Sequence, residues 1–251
     1  MRILISLIAI AAFRFADAAS VTEVFMPFNY TSSAGQVLPY RLAFPKSFDA
    51  AKRYPLVVWL HGSGEAGRDN VSQLDNGAEV FADDSVRNQY PAFVLAPQCP
   101  PEDRWSNMSS RSAPERDRMA AQPTRTAQAT FELISQLESH YPISRVVLAG
   151  LSMGGFGVWD WIVRRPDLFS RALPMSAGGD ITQASHLIHT PIWAFHGDHD
   201  DVVGVGHSRA MIQAIRRAGG TPLYTEIRGG GHGPWSDIVS RSEVLAWLFA
   251  P

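Results

Sequence analysis

The sequence contains a single cysteine, Cys99, and no excess of positive charge. One cysteine excludes an internal disulfide, but a domain of this length can bury enough apolar surface without one. The 22 basic and 24 acidic residues give a formal net charge of −2. Proteins that bind nucleic acid or anionic membranes usually carry a basic surface, so we expect neither as a partner.

The sequence also lacks an apolar run of the roughly 20 residues that a membrane-spanning helix needs. The apolar segment Ile3–Phe13 follows Arg2 and precedes the small residues of Ala16-Asp17-Ala18. This order is typical of a secretory signal peptide and its cleavage site. We predict a signal peptide at residues 1–18, a single domain at 19–251, a secreted or periplasmic protein and no stable membrane insertion. An uncleaved N-terminal anchor is the alternative.

Short apolar runs alternate with helical patterns along the rest of the chain, which predicts an α/β fold with a mostly parallel sheet and helices on both faces. An antiparallel edge is expected from two earlier segments. The predicted central strands are Leu56–Leu60, Phe93–Ala96, Val146–Ala149 and Ile192–Phe195, and the edge segments are Val21–Tyr30 and Val37–Phe44. A further strand is predicted at Leu223–Ile227. The polar stretch Pro101–Pro123 has no sustained period, and a loop of that length in a compact domain is usually functional or disordered.

A G-x-S-x-G motif, Gly150-Leu151-Ser152-Met153-Gly154, lies between a predicted strand and a helical pattern. In that context the motif forms a sharp turn that presents a nucleophilic serine, and glycines are needed because the neighbouring backbone is close. The helix N-terminus next to the serine favours a developing anion. The sequence therefore predicts Ser152 as a nucleophile.

A serine hydroxyl needs a base, and His232 lies in a glycine-rich loop after the predicted strand Leu223–Ile227. An acid is expected after the strand between them, where Asp198, Asp200 and Asp201 compete. We favour Asp200 because it has room to point back toward the histidine loop. His196 and His199 in the same segment lack a third ligand at a clear spacing, so no metal site is predicted.

An oxyanion site needs two backbone N–H donors. Met153 is expected to supply one, and Ser63 or Gly64, in the turn after the strand Leu56–Leu60, the other. His61 in the same turn is interpreted as an anchor. Trp105 in the polar loop and Trp235 after His232 are predicted to contact substrate, with plain packing as the alternative for each.

These motifs together resemble the secreted esterase and predicted-peptidase branch of the α/β-hydrolases, often labelled phospholipase/carboxylesterase-like. The resemblance runs from about Pro39 to the C-terminus, and it implies a Ser–Asp–His triad at Ser152, Asp200 and His232. The segments that carry it are Leu60–Glu65 with Asp69-Asn70, Leu95–Pro100 with Trp105, Gly150–Asp160, Pro191–Gly197, and Tyr224–Glu226 with Gly231-His232 and Trp235. Ala66, Asp201 and Gly204 depart from the residues common in relatives, which weakens inference about substrate.

The predicted function is hydrolysis of carboxylic esters through an acyl-enzyme, without a metal or an organic cofactor. The expected partner is a small-molecule or polymer-derived ester. A small-peptide or amide hydrolase and a catalytically inactive binding module are the alternatives. Feruloyl, acetyl, short-chain lipid, polyester and xenobiotic esters all remain open as substrates.

Overall fold

A computed structural model describes residues 19–108 and 113–251 of the chain. The predicted signal peptide, residues 1–18, lies outside these described residues. Among the helices in the described ranges, none is both long enough and apolar enough to cross a membrane.

Eight strands within the described residues form one mixed sheet in the order β1-β2-β4-β3-β5-β6-β7-β8. The pairs β1–β2 and β2–β4 are antiparallel, and each of the remaining pairs is parallel. The strands are β1 Phe25–Thr31, β2 Val37–Ala43, β3 Tyr54–Leu60, β4 Phe93–Pro97, β5 Ile143–Leu151, β6 Phe169–Met175, β7 Trp193–Gly197 and β8 Leu223–Ile227. The predicted fold class, a mostly parallel sheet with an antiparallel N-terminal edge, is confirmed.

Both faces of the sheet are covered, which explains the continuous apolar runs of its central strands. Successive side chains of β3 alternate between two buried clusters: Leu56 and Val58 belong to one, and Val57 and Trp59 to the other. The α-helices are α1 Val21–Val24, α2 Asp84–Gln89, α3 Arg125–His140, α4 Met153–Arg164, α5 Gly206–Arg217, α6 Trp235–Val239 and α7 Ser242–Phe249. Residues of α3, α4 and α5 pack in the first cluster, and residues of α6 and α7 pack in the second.

The structure differs from the predicted elements at two places. Strand β6 was not predicted, because Ser170, Arg171 and Pro174 interrupt its apolar pattern. The first edge strand begins at Phe25 and not at Val21, because Ser20 and Glu23 form a capping box that starts a short helix.

Five segments that follow parallel strands carry the candidate residues. The carboxyl ends of parallel strands lie at one edge of a sheet, where α/β proteins bind their ligands. Ser63 follows β3, the described residues 98–108 and 113–124 follow β4, and Ser152 follows β5. Asp200 follows β7 and His232 follows β8, so the fold gathers residues from distant parts of the sequence.

Candidate active site

Ser152 occupies the sharp turn between β5 and α4. Its backbone has φ 50° and ψ −117°, a left-handed conformation that a non-glycine residue rarely adopts. The turn is fixed because Ser152 N–H donates to Met175 O at 2.9 Å, and Ser152 O accepts from Phe156 N–H at 3.0 Å. The serine is therefore held in place by the backbone of the adjacent strand and of its own helix.

The two glycines of the motif are required by close approach of backbone segments. A Cβ atom on Gly154 would lie 2.0 Å from Leu60 O, and one on Gly150 would lie 2.7 Å from Gly154 O. No side chain fits at these distances. The motif thus lets helix α4 start directly against the end of β3.

A hydrogen-bonded chain of side chains joins three of the predicted site residues. His232 Nε2 lies 2.9 Å from Ser152 Oγ, and His232 Nδ1 lies 2.7 Å from Asp200 Oδ2. The carboxylate needs Nδ1 as a donor, which leaves Nε2 free to accept the serine proton. The side chain of His232 is 15% exposed and that of Asp200 is fully buried.

The Asp200 carboxylate is tied down on both oxygens. Oδ1 accepts the N–H groups of Val202 at 3.0 Å and Val203 at 2.8 Å, while Oδ2 faces His232. Burial raises the pKa of this carboxyl, but hydrogen bonds from His196, His232 and Val203 N–H outweigh it and hold the pKa well below its usual range. Asp200 is therefore ionised and directed at the histidine.

The other two candidate aspartates lie elsewhere. Asp198 accepts from Gly229 N–H at 2.6 Å and pairs with His199 at 2.6 Å near the surface. Asp201 is exposed at the rim of the cleft. Of the three, Asp200 is the one in contact with His232.

The loops that carry Asp200 and His232 pack backbone against backbone. Asp198 N–H donates to Ile227 O at 3.1 Å and His199 N–H donates to Gly230 O at 2.9 Å. A Cβ atom on Gly197 would lie 2.2 Å from Gly230 O, so glycine is needed where the loops meet. Because β7 and β8 are adjacent, their two loops leave the sheet side by side.

The turn after β3 lies directly beside Ser152. A Cβ atom on Gly62 would lie 3.6 Å from Ser152 Cβ. Ser63 opens the 3₁₀ helix Ser63–Glu65 and lines the same cleft as Ser152 and Met153, while Gly64 is not among the described residues that line it. Met153 is the first residue of α4, so its N–H has no acceptor within the helix. These placements suit backbone N–H groups that face a substrate oxygen.

His61 anchors this turn from the protein interior. It is fully buried, its Nε2 accepts Cys99 N–H at 2.9 Å, and its Nδ1 lies 2.6 Å from Gly62 O. Burial lowers the pKa of His61 to about 4, although the hydrogen bond to Gly62 O acts in the opposite direction. The neutral ring therefore joins the turn after β3 to the segment after β4.

A cleft of about 780 Å³ opens in front of Ser152, a volume suited to a small organic substrate. Its walls combine apolar side chains with a cation and two carboxylates. It is lined by Ser63, Ala66, Pro101, Asp103, Arg104, Ser106, Met108, Ser152, Met153, Phe156, Asp201, Val202 and Val203. The polar loop after β4 thus contributes five of these residues, as expected of a loop that borders the site.

Trp105, predicted to contact substrate, lies in the core and is not among the described residues that line the cleft. Trp105 is 0% exposed, its Nε1 donates to His61 O at 2.9 Å, and its O accepts from Trp161 Nε1 at 2.9 Å. Its side chain packs so closely on α4 that a Cβ atom on Gly157 would lie 2.5 Å from Trp105 Cβ. An indole in a polar loop is ambiguous in sequence, and here it anchors the loop to the core because its N–H finds a buried acceptor.

Trp235 lies against the histidine and is not among the described residues that line the cleft. Its ring is perpendicular to that of His232 with centroids 5.0 Å apart, and its Nε1 donates to Ser176 Oγ at 3.1 Å. Trp235 is half-buried and packs on the second core cluster. From this position Trp235 is better placed to orient the imidazole of His232 than to contact substrate.

Sequence reasoning missed several residues of the site. Met108, Phe156 and Val203 line the cleft although their positions are those of ordinary core residues. The sequence analysis assigns His196 no part in the site, and the structure places it in contact with Asp200, with 3.2 Å between Nε2 and Oδ2. Its signal in the sequence was a histidine at the end of a predicted strand, four residues before the favoured acid.

Comparisons with known proteins bear on the family and the fold of the chain. The family model described as "Putative esterase" matches residues 31–221. A thermostable esterase of known structure is 36% identical, with a TM-score of 0.84 over 91% of this chain, and the chain spans 63% of the length of that esterase. No curated protein sequence matches the chain.

Two further solved structures share the fold at low identity. A ferulic acid esterase of Anaeromyces mucronatus, in complex with ferulic acid, is 16% identical, with a TM-score of 0.64 over 90% of each chain. The fluorophosphonate-binding serine hydrolase F of Staphylococcus aureus is 15% identical, with a TM-score of 0.66 over 90% of this chain and 98% of its own. The similar structures show that the chain has the α/β-hydrolase fold. Because the family model matches most of the sequence, the chain belongs to the esterase family.

Proposed function

We propose that the protein hydrolyses carboxylic esters through an acyl-enzyme formed on Ser152. The observation that carries this proposal is the hydrogen-bonded chain from Ser152 Oγ through His232 to Asp200, with separations of 2.9 and 2.7 Å. Separations of this size allow direct proton transfer from the hydroxyl to the imidazole. Membership of the esterase family supports an ester as the substrate.

In the first half-reaction His232 Nε2 takes the proton of Ser152 as Oγ attacks the ester carbonyl carbon. The carbonyl oxygen becomes an oxyanion, which would accept hydrogen bonds from Met153 N–H and from Ser63 or Gly64 N–H. When the tetrahedral intermediate collapses, the bond to the alcohol oxygen breaks and the proton on Nε2 passes to the leaving alcohol. Ser152 is then acylated.

In the second half-reaction water replaces the serine as nucleophile. His232 Nε2 takes a proton from the water as its oxygen attacks the acyl carbon, and the proton then returns to Ser152 Oγ as the acid is released. Asp200 holds the imidazole with Nδ1 as donor and stabilises its positive charge in both halves. None of these steps calls for a metal or an organic cofactor.

A fluorophosphonate probe and a set of chromogenic esters test the proposal. The wild-type protein is expected to be labelled covalently at Ser152 and to hydrolyse p-nitrophenyl esters. Ser152→Ala is expected to keep its fold, to lose labelling and to lose several orders of magnitude in kcat, with a remainder that comes from the oxyanion site. Wild-type-like turnover by Ser152→Ala would refute the assignment, and an unlabelled, inactive wild-type protein would favour the binding-module alternative.

The substrate class is tested separately. Matched p-nitrophenyl esters and p-nitroanilides distinguish an esterase from an amide hydrolase, and we expect turnover of the esters to dominate. Acyl chains of increasing length, with methyl ferulate alongside, then sort the candidate esters. We also propose that the protein is exported and that its signal peptide is removed. N-terminal sequencing of the expressed protein should then find a mature chain that begins near Ala19.

A further inference from the structure

A second histidine contacts the carboxylate proposed to orient His232. His196, near the end of β7, is fully buried, and its Nε2 lies 3.2 Å from Asp200 Oδ2 and 2.8 Å from Val203 O. Asp200 Oδ2 therefore lies between two imidazoles, with His232 on the side of the nucleophile and His196 on the side of the core.

The partners of His196 define which atom is its donor. A backbone carbonyl and an ionised carboxylate only accept hydrogen bonds, so Nε2 must carry a proton toward Val203 O and Asp200 Oδ2. On the other side of the ring, Nδ1 lies 2.7 Å from Ser208 Oγ, and the Ser208 hydroxyl donates its hydrogen to Ala177 O at 2.7 Å. The ring is thus fixed at both nitrogens.

Four N–H groups surround the Asp200 carboxylate. Oδ1 accepts from Val202 N–H and Val203 N–H, and Oδ2 accepts from His232 Nδ1–H, while His196 Nε2, which donates to Val203 O, lies 3.2 Å from the same Oδ2. A buried carboxylate that lacks one of its donors is free to rotate or to draw more strongly on those that remain. The His196 donor therefore affects both where Oδ2 points and how much negative charge it presents to His232.

We propose that His196 is a positioning residue for the reaction. Its Nε2–H holds Asp200 Oδ2 toward His232 and reduces the negative charge that Asp200 presents to His232. This inference rests on the proposed Ser152–His232–Asp200 mechanism. The titratable groups that contact the carboxylate are His196 from β7 and His232 from the loop after β8. His207, on helix α5, is directed at Asp117.

A matched series of substitutions tests the role of the donor. The amide nitrogen of His196→Gln reaches about as far as Nε2 and keeps a donor, whereas His196→Asn is too short and His196→Met is long enough but has no donor. We expect His196→Asn and His196→Met to lower kcat for p-nitrophenyl acetate about 10- to 100-fold with little change in KM. His196→Gln is expected to recover most of this loss.

The pH profile distinguishes positioning from a purely structural role. The acidic limb of kcat/KM reports protonation of the catalytic base. Without the His196 donor, Asp200 presents more negative charge to His232 and stabilises its protonated form, so the limb should move to higher pH. We expect this movement in the Asn and Met variants and a return toward the wild-type limb in the Gln variant. A general loss of packing would lower the rate without moving the limb.

Fluorophosphonate labelling and Ser152→Ala, measured in parallel, separate the failure of this inference from failure of the proposed function. If the wild-type protein is labelled and active, and Ser152→Ala is neither, the proposed mechanism is supported. The His196 variants then test whether His196 positions Asp200. A wild-type kcat and acidic limb in a folded donor-less variant would overturn the inference, as would a Gln variant as impaired as the Met variant. Should His196→Asn fail to fold, the Gln and Met pair gives the same comparison.

Discussion

The two sides of the cleft are held in place by different kinds of interaction. On the side that carries the proposed triad, here called the catalytic side and formed by the loops after β5, β7 and β8, backbone hydrogen bonds and close-packed glycines such as Gly154 and Gly197 fix the geometry. On the other side, the loop of residues 98–124 is attached by buried side chains such as Trp105, and by Arg164, which bonds to the loop carbonyls of Ala120 and Ala121.

This difference predicts which substitutions should change the reaction rate and which should change the stability of the fold. On the catalytic side a polar side chain can be exchanged with the backbone left in place, so its loss should change the rate and leave the fold. On the loop side the anchoring side chains are part of the core, so their loss should unfold the protein before it alters selectivity. The exposed residues of the cleft should affect selectivity alone.

The largest expected effect is on the catalytic side, at Asp200. Asp200→Asn leaves the size of the side chain unchanged but removes the charge that fixes the imidazole tautomer, so we expect kcat to fall by about 10⁴-fold. Asp198→Asn and Asp201→Asn are matched controls on the same loop, because neither carboxylate contacts His232. Ester hydrolysis by the three purified variants checks this. A greater loss at Asp198 or Asp201 than at Asp200 would contradict the assignment.

The next effect is on stability, at the anchor of the loop. Trp105→Ala removes a fully buried indole and leaves the His61 carbonyl without its donor, so the free energy of unfolding should fall by about 3–5 kcal/mol. Trp105→Phe keeps most of the volume and should cost less. Urea unfolding of the three proteins measures both. A near-native free energy of unfolding for Trp105→Ala, with loss confined to bulky esters, would return Trp105 to a role in substrate binding.

The sequence was informative where local pattern and global fold agree. The position of Ser152 at a turn between a strand and a helix could be predicted because a strand, a turn with two glycines and a helix leave one interpretation of the motif. His232 followed from chain order and its glycine-rich loop. Asp200 was favoured over its two neighbours because of the reach of its side chain, which is a weaker argument. The contact between Asp200 and His232 agrees with that choice.

The sequence was less informative where a contact depends on the tertiary fold or where polar residues interrupt a strand pattern. The indole of Trp105 finds its acceptor 44 residues away, and no local pattern distinguishes such an anchor from a residue that binds substrate. The contact between His196 and Asp200 depends on how the segment after β7 folds back on its own strand. Strand β6 was missed because Ser170, Arg171 and Pro174 interrupt its apolar pattern.

His61 should make stability depend on pH. Its pKa falls from an ordinary 6.5 to about 4 because the ring is buried, so between these values the unfolded chain binds a proton that the folded chain does not. The stabilisation is fully present above about pH 6.5 and is lost as pH falls toward 4, by at most about 3 kcal/mol. Denaturant unfolding at pH 7 and pH 5 measures the change. His61→Gln, which cannot titrate, should reduce that difference, and an equal difference in the variant would contradict the assignment.

The smallest expected effect is on selectivity, at the exposed rim of the cleft. Val202 is 60% exposed and lines the cleft, while its N–H, which any residue retains, bonds to Asp200. Val202→Ala removes about two methyl groups of apolar surface, so we expect kcat/KM for long acyl esters to fall by roughly 3- to 10-fold. Acetate esters, whose acyl group is short, are expected to be unchanged, as is the free energy of unfolding. Arg104→Ala, at another exposed position of the cleft, is the matched control and should leave neutral esters unaffected. An equal loss on every ester in Val202→Ala would show that the residue acts through the Asp200 loop, and that this rim belongs to the catalytic side.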